Sequence, residues 1–214
     1  MATRVCFPNG LLDLSTRRFV SPLPEPVGET AQCFELPWTG DQAAPTFIKL
    51  LRDQLDDPVE VRRLCAMLGR ALLGGSAPDR WPVRAVYVHG ETAGGKTTLL
   101  RTLTDGGFLP DGAVGWMDGR GRFEDDEFEM LACHDLSVSP AVVVARTVAP
   151  AVLLGRAAPW GRDATVAAFH FAKRPVAPDA GLSALLAGEA PNILCALLTA
   201  YCELLAEVGP DGSA

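Results

Sequence analysis

The hydrophobic rhythm of the chain changes several times along its length. Residues 1–30 mix short apolar pieces with breakers, "PNG" at 8–10 and "SPLPEP" at 21–26, which predicts short extended segments joined by turns. Residues 44–75, "APTFIKLLRDQLDDPVEVRRLCAMLGRALLGG", repeat apolar positions at helical spacing. Pro58 stands near the start of a second helix, and Gly74-Gly75 stand at its end. After a polar loop, "VRAVYVH" (83–89) is rich in β-branched and aromatic residues and predicts a strand, followed by a helix over "KTTLLRTLTDGG". Further strands are predicted over 113–118, 129–138, 141–146 ("AVVVAR") and 164–172. The amphipathic stretch "PNILCALLTAYCELLAEVG" predicts a helix closed by Gly209-Pro210.

Strands that are apolar at consecutive positions are buried on both faces, which points to a central, mostly parallel sheet between helices. The expected class is α/β, with an extended and helical lead-in over 1–80 and the main domain over 81–214. A chain of 214 residues suits one such domain and is too short for two full enzyme domains.

Composition narrows the function. Nineteen basic and 26 acidic residues leave a net charge of -7, which disfavours wrapping a polyanion over the whole surface but leaves room for a local basic loop. No apolar run approaches the roughly 20 residues that span a bilayer, and the N-terminus lacks a signal-like core, so an intracellular protein without a membrane partner is expected. The six cysteines contain no C-x-x-C pair and are expected as free, buried thiols. His89, His134 and His170 lie in apolar, strand-like segments without metal-ligand spacing.

The chemistry concentrates at Gly90-Glu91-Thr92-Ala93-Gly94-Gly95-Lys96-Thr97-Thr98. This fits G-x-x-x-x-G-K-[ST] between a predicted strand and a predicted helix, the context the pattern requires. Its glycines let backbone N–H groups turn toward a phosphate, and the helix N-terminus adds roughly half a positive charge. The chain has only three lysines against sixteen arginines, and one of them is Lys96. Lys96 is expected to pair with the β- and γ-phosphates of ATP, and the Thr97 hydroxyl to ligate Mg²⁺. A phosphate-loop ATPase also needs an acid at the end of a nearby strand. Asp135 is the first candidate and Asp118 the second, while Glu127 and Glu129 could also enter the site. Lys96 and Asp135 are therefore the expected catalytic residues, and Thr97 and Asp135 the expected metal ligands.

Several separated stretches resemble one family. "FPNGLLDLSTRRFVSPLP" (7–24) is similar to the N-G-x-L-D-L-x-T lead-in of poxvirus-type primase-helicases. Residues 47–75 resemble the helical segment before their motor, "VRAVYVHGETAGGKTTLLRTL" its first strand and phosphate loop, and "GEAPNILCALLTAYCELL" its closing helix. The resemblance runs in order over most of the chain and identifies a superfamily 3 helicase of the viral and phage type.

That resemblance implies a three-layer, AAA+-like P-loop ATPase that assembles as a homo-oligomer, usually a hexamer. Such a ring moves single-stranded DNA through its pore during viral replication. It also implies that priming, where it takes part, belongs to a separate primase. Basic residues of the loop after the acidic strand touch DNA in this family; Arg146, Arg156 and Arg162 occupy that stretch, where solvated surface arginines are the other reading.

The departures concern catalysis. His134 and Leu136 flank a lone Asp135 where the family carries an acidic pair. Where the family places a γ-phosphate-sensing asparagine before a proline, "FHFAKRPVAP" offers Ala172, Lys173 and Arg174, and the segment that normally bears an arginine finger is short. Nucleotide binding is thus better supported than hydrolysis, and a degenerate, nucleotide-holding subunit is the main alternative. A small P-loop kinase with "GRAAPWGR" as its lid is a lesser one.

Overall fold

The computed structural model describes residues 4–22, 32–74, 83–109, 113–120, 122, 130–147, 149–159, 163–173 and 181–207. The extended pieces of the N-terminus form a small sheet of β1 (Arg4–Phe7), β2 (Gly10–Asp13), β3 (Arg18–Val20) and β4 (Gln32–Cys33), in the order β3-β2-β1-β4. Its motif residues serve folding. The Asn9 side chain donates to the Trp38 carbonyl at 2.8 Å and accepts from the Trp38 N–H at 2.9 Å, clipping the chain beyond β4 onto the β1–β2 turn. Asp13 accepts from the N–H groups of Ser15 and Thr16, each at 2.9 Å, and so closes the β2–β3 turn.

Two helices follow, as the spacing predicts: α1 (Pro45–Arg52) and α2 (Pro58–Leu72). Asp57 caps α2 by accepting from the Val59 N–H at 2.8 Å, and Pro58 fills the first helical position, where no N–H is needed.

The main sheet contains β5 (Ala85–Gly90), β6 (Val114–Trp116), β7 (Met130–Leu136), β8 (Ala151–Gly155) and β9 (Val166–Phe171). They lie in the order β6-β7-β8-β5-β9, with every neighbouring pair parallel. The remaining helices are α3 (Lys96–Thr104), α4 (Pro140–Val144), α5 (Leu182–Gly188) and α6 (Ala190–Glu207). Alternate strand residues serve opposite faces. Val86, Val88, Ala132, Val152, Leu154 and Phe169 pack with residues of α2, α3 and α6, whereas Tyr87, Leu131, Cys133 and Leu153 pack with Val143 and Val144 of α4. The chain is an α/β protein with helices on both faces of a five-stranded parallel sheet.

The larger core is continuous from Val5 and Phe7 in β1, through Leu64 and Leu68 in α2, to Leu197 and Tyr201 in α6. The helices α2 and α6 approach so closely that a Cβ on Gly69 would lie 2.3 Å from the Leu197 carbonyl oxygen. Across the same seam Arg62 pairs with Glu203 at 3.2 Å and Glu207 at 2.7 Å. By length and composition α6 could cross a membrane, but half of its apolar stretch is buried inside this fold.

Three expectations need correction. Residues 141–146 do not form a strand: Pro140 starts the short helix α4, and its buried Val143 and Val144 cover the second face of the sheet. The strand that follows β7 is instead β8, five residues that the sequence pattern did not separate from their surroundings. The cysteines are free, yet only Cys65, Cys133, Cys195 and Cys202 are buried, while Cys33 is exposed and Cys6, opposite it on β1, is partly exposed. Glu127, Glu129, Arg162, Arg174, Gly75, the Gly209-Pro210 stop and most of "SPLPEP" lie outside the described residues.

Candidate functional site

The nine-residue stretch Gly90–Thr98 runs from the last residue of β5 into the first turn of α3, at the carboxyl edge of the sheet. In open α/β sheets ligands bind outside the carboxyl ends of the strands, where neighbouring connections diverge. Here β5 lies between β8 and β9, and the chain leaves β5 through α3 for the far edge strand β6. Gly90 has φ +133° and Gly95 has φ +81°, values that favour glycine, and Ala93 between them also has a positive φ of 64°. No side chain caps the N-terminus of α3, whose first residues Lys96, Thr97 and Thr98 line the cavity.

Lys96 folds back over the loop, donating from Nζ to the carbonyl oxygens of Gly90 at 2.8 Å and Glu91 at 2.5 Å. Burial, and next the positive charge of Arg156, hold its pKa below the usual lysine range, while Asp135 and Glu91 pull the other way. An anion entering the loop would favour the charged ammonium and so oppose both depressing causes. His89, just before the loop, stacks on His170 with ring centroids 4.9 Å apart; burial, His170 and Lys96 lower its pKa, which favours the neutral imidazole.

The loop forms one side of a cavity of about 1310 Å³. The other walls come from α1 (Thr46, Lys49, Leu50, Arg52, Asp53), the ends of β7 and β8 (His134, Asp135, Gly155, Arg156), Lys173 beyond β9, and Leu182 and Leu185 of α5. The lead-in helix α1 is therefore part of the site, and its placement is held at both ends. At its start the Glu189 carboxylate accepts from the Thr46 N–H at 2.9 Å and the Phe47 N–H at 3.1 Å. Burial pushes the Glu189 pKa up, but these hydrogen bonds together outweigh it and leave the carboxyl below its usual range. Just past its end, Gln54 accepts from the Lys173 N–H at 3.1 Å. Leu50 then sits directly over the loop, its Cδ1 3.1 Å from where a Cβ on Gly95 would be.

The structure brings Asp135 to the cavity and leaves Asp118 out of its lining. Asp118 is occupied by its own turn: it accepts from the N–H groups of Arg120 and Arg122, both at 2.9 Å, and the bond from Arg122 is the leading cause of its lowered pKa. Beside Asp135, His134 is stacked on Trp116 at 4.8 Å, so the position flanking the acid carries an aromatic platform.

Sequence reasoning missed where Arg156 stands. The strand between β7 and β5 is β8, and Arg156 directly follows it. Arg156 Nε lies 3.5 Å from Asp135 Oδ1. Its backbone is fixed on both sides by Tyr87. The Tyr87 hydroxyl donates to the Ala157 carbonyl at 2.8 Å, and the ring packs so close to Gly155 that a Cβ there would meet the hydroxyl oxygen at 2.0 Å. Neither the position of β8 nor the reach of Tyr87 has a local signal in the sequence.

A divalent cation on a bound triphosphate would call on the Thr97 hydroxyl and the Asp135 carboxylate. Thr97 lines the cavity from the first turn of α3 and suits that task. Asp135 lines the cavity as well, and one of its oxygens faces Arg156 at 3.5 Å in an exposed pair. The other carboxylate lining the cavity among the described residues, Asp53, is paired with Lys49. Among those residues no group of three or more His, Cys, Asp or Glu side chains is placed to hold a metal ion.

Comparison with protein-family models finds none that matches the chain, and comparison with curated proteins finds no match either.

Proposed function

We propose that the protein binds a nucleoside triphosphate, ATP, in the Gly90–Thr98 loop and holds it with little hydrolysis. In this reading it is the nucleotide-binding part of a replication assembly of the superfamily 3 helicase kind. The observation that carries the proposal is the loop itself: a parallel strand, positive-φ residues at Gly90, Ala93 and Gly95, and a helix N-terminus without a side-chain cap, with Lys96 folded over the opening. Backbone N–H groups would ring the phosphates, and Lys96 would exchange the Gly90 and Glu91 carbonyls for phosphate oxygens.

The sheet order supports an AAA+-like architecture, with the phosphate-loop strand inside the sheet and one strand between it and the acidic strand. The case for slow turnover rests on Asp135. Positioning and activating water needs a free carboxylate near the terminal phosphate, and Asp135 is shared with Arg156 and flanked by His134 and Leu136. Removing such a group attacks rate more than affinity, since phosphate binding comes from the loop and Lys96.

Movement along single-stranded DNA in a hexameric ring remains the ancestral activity this reading proposes for the fold. Of the candidate DNA contacts, Arg156 also lines the nucleotide cavity, and Arg146 is exposed after α4. The test is ATP binding and turnover by purified protein, with and without single-stranded DNA, beside Lys96→Ala. DNA-stimulated turnover would restore the motor reading, and binding without turnover would support the holding role.

A further inference from the structure

We infer that Cys6 and Cys33 form a thiol–disulfide exchange site, which reacts with a low-molecular-weight disulfide and closes into a cross-strand bridge that locks β4 onto β1. The inference is independent of the nucleotide reading. β1 and β4 run parallel, with Cys6 opposite Cys33 in register. Neighbouring strands lie about 4.8 Å apart, inside the roughly 4.4–6.8 Å Cα separation that a disulfide spans. Both side chains also leave the sheet on one face. Val5 and Phe7, on either side of Cys6, are buried, and so are Gln32 and Phe34 on either side of Cys33. Alternation along a strand therefore turns the two cysteines together to the outer face. The Phe34 N–H donates to the Cys6 carbonyl at 2.9 Å, which carries the pairing one residue past Cys33 and fixes this register.

The two thiols differ in access. Cys33 is exposed and Cys6 partly so, whereas the other four cysteines are buried. Burial, then the hydrogen bond to Cys33 and the charge that Cys33 takes on as a thiolate, push the Cys6 pKa up to about 11. Cys33 is thus the thiol that opens the reaction. Its thiolate attacks one sulfur of a disulfide RSSR; a bond forms from Cys33 to that sulfur, the S–S bond breaks, and RS⁻ leaves to take up a proton. In the mixed disulfide Cys33 no longer ionises, which removes the charge beside Cys6 and lets its pKa fall. Cys6 then gives up its proton and attacks the Cys33 sulfur, and the second RS⁻ departs. Two protein thiols are oxidised and one RSSR is reduced to two RSH.

The bridge falls where the ladder is shortest. β4 is two residues long and meets β1 at two register pairs, and the chain beyond it runs through the Asn9–Trp38 clip to α1. A covalent tie between residues 6 and 33 restricts the unfolded chain and so favours the folded lead-in. On the exposed outer face the bond is open to reductants, which makes it reversible.

The folded full chain incubated with glutathione disulfide in mildly alkaline buffer, alkylated and mapped by peptide mass spectrometry, tests the inference. A Cys6–Cys33 link should form while the other four of the six thiols are alkylated, and dithiothreitol should reverse it. Cys6→Ser should stop at a mixed disulfide on Cys33. In Cys33→Ser, burial still holds Cys6 back, and it should react at least about tenfold more slowly than Cys33 does in Cys6→Ser. The linked protein should melt roughly 5 °C or more above the reduced one, a shift that both serine variants lack. A stable mixed disulfide on Cys33 of the wild type, thiol loss spread over the buried cysteines, or no thiol loss at all overturns the exchange site. A link that leaves the melting temperature unmoved overturns the locking of β4. ATP binding plays no part in these readouts, so the nucleotide reading stands or falls separately.

Discussion

Lys96 spends its ammonium on the Gly90 and Glu91 carbonyls when no anion is present, an arrangement that keeps the loop closed on itself and the lysine near its working place. Replacing it with alanine should cost at least about tenfold in nucleotide affinity, the scale of one charge-assisted hydrogen bond, and should leave the fold intact because the side chain is partly exposed. A thermal melt of Lys96→Ala beside a binding titration separates the two effects. The loop was legible from sequence because its signal is local: glycines, lysine and threonine at fixed spacing between a strand and a helix. The placement of Arg156 at the cavity was not legible. It depends on β8 lying against both β5 and β7 and on the distant Tyr87, which are consequences of register. Likewise Asp135 and Asp118 look alike in sequence, and only the hydrogen bonds of the 118–122 turn tell them apart.

At the level of elements, the site depends on how α1 is held. Glu189, at the junction of α5 and α6, satisfies two N–H groups in the first turn of α1, a capping task performed from 142 residues away in sequence for Phe47. Glu189→Ala should lower stability by about 1 kcal/mol, the usual cost of losing a cap, and should weaken nucleotide binding through loosening of the α1 wall. The folded-state pKa of Glu189 is depressed. Its contribution is therefore present above the ordinary value of 4.5 and disappears as pH falls through the lower folded value, so the difference between wild type and Glu189→Ala should shrink in melts below that point.

The α2–α6 seam makes a second prediction. Gly69→Ala places a methyl against the Leu197 carbonyl and should destabilise by about 1–3 kcal/mol, measured by denaturant titration. The long helices and most strands were readable from periodicity, because α2 and α6 carry unbroken helical spacing. The segment 141–146 misled because three consecutive valines favour strands, yet Pro140 sets a helical turn whose Val143 and Val144 are needed to cover the sheet.

For the whole molecule, the layered sheet places the lead-in, the phosphate loop and the closing helices around one cavity. The resemblance to superfamily 3 helicases concerns residues of two kinds. Asn9 and Asp13 hold the lead-in together, while Gly90 to Thr98 form one wall of the cavity proposed to take the nucleotide. An acidic molecule of net charge -7 also gives single-stranded DNA little general attraction, so any DNA effect must come through local arginines.

The central claim is most directly tested by measuring ATP binding and ATP turnover on the same preparation, with wild type and Lys96→Ala side by side and with single-stranded DNA present or absent. The account predicts saturable binding that Lys96→Ala weakens by about tenfold or more, with turnover near background and unmoved by DNA. No binding, or binding indifferent to Lys96, would contradict the nucleotide site. Turnover that DNA stimulates and Lys96→Ala abolishes would contradict the holding role and show a working motor.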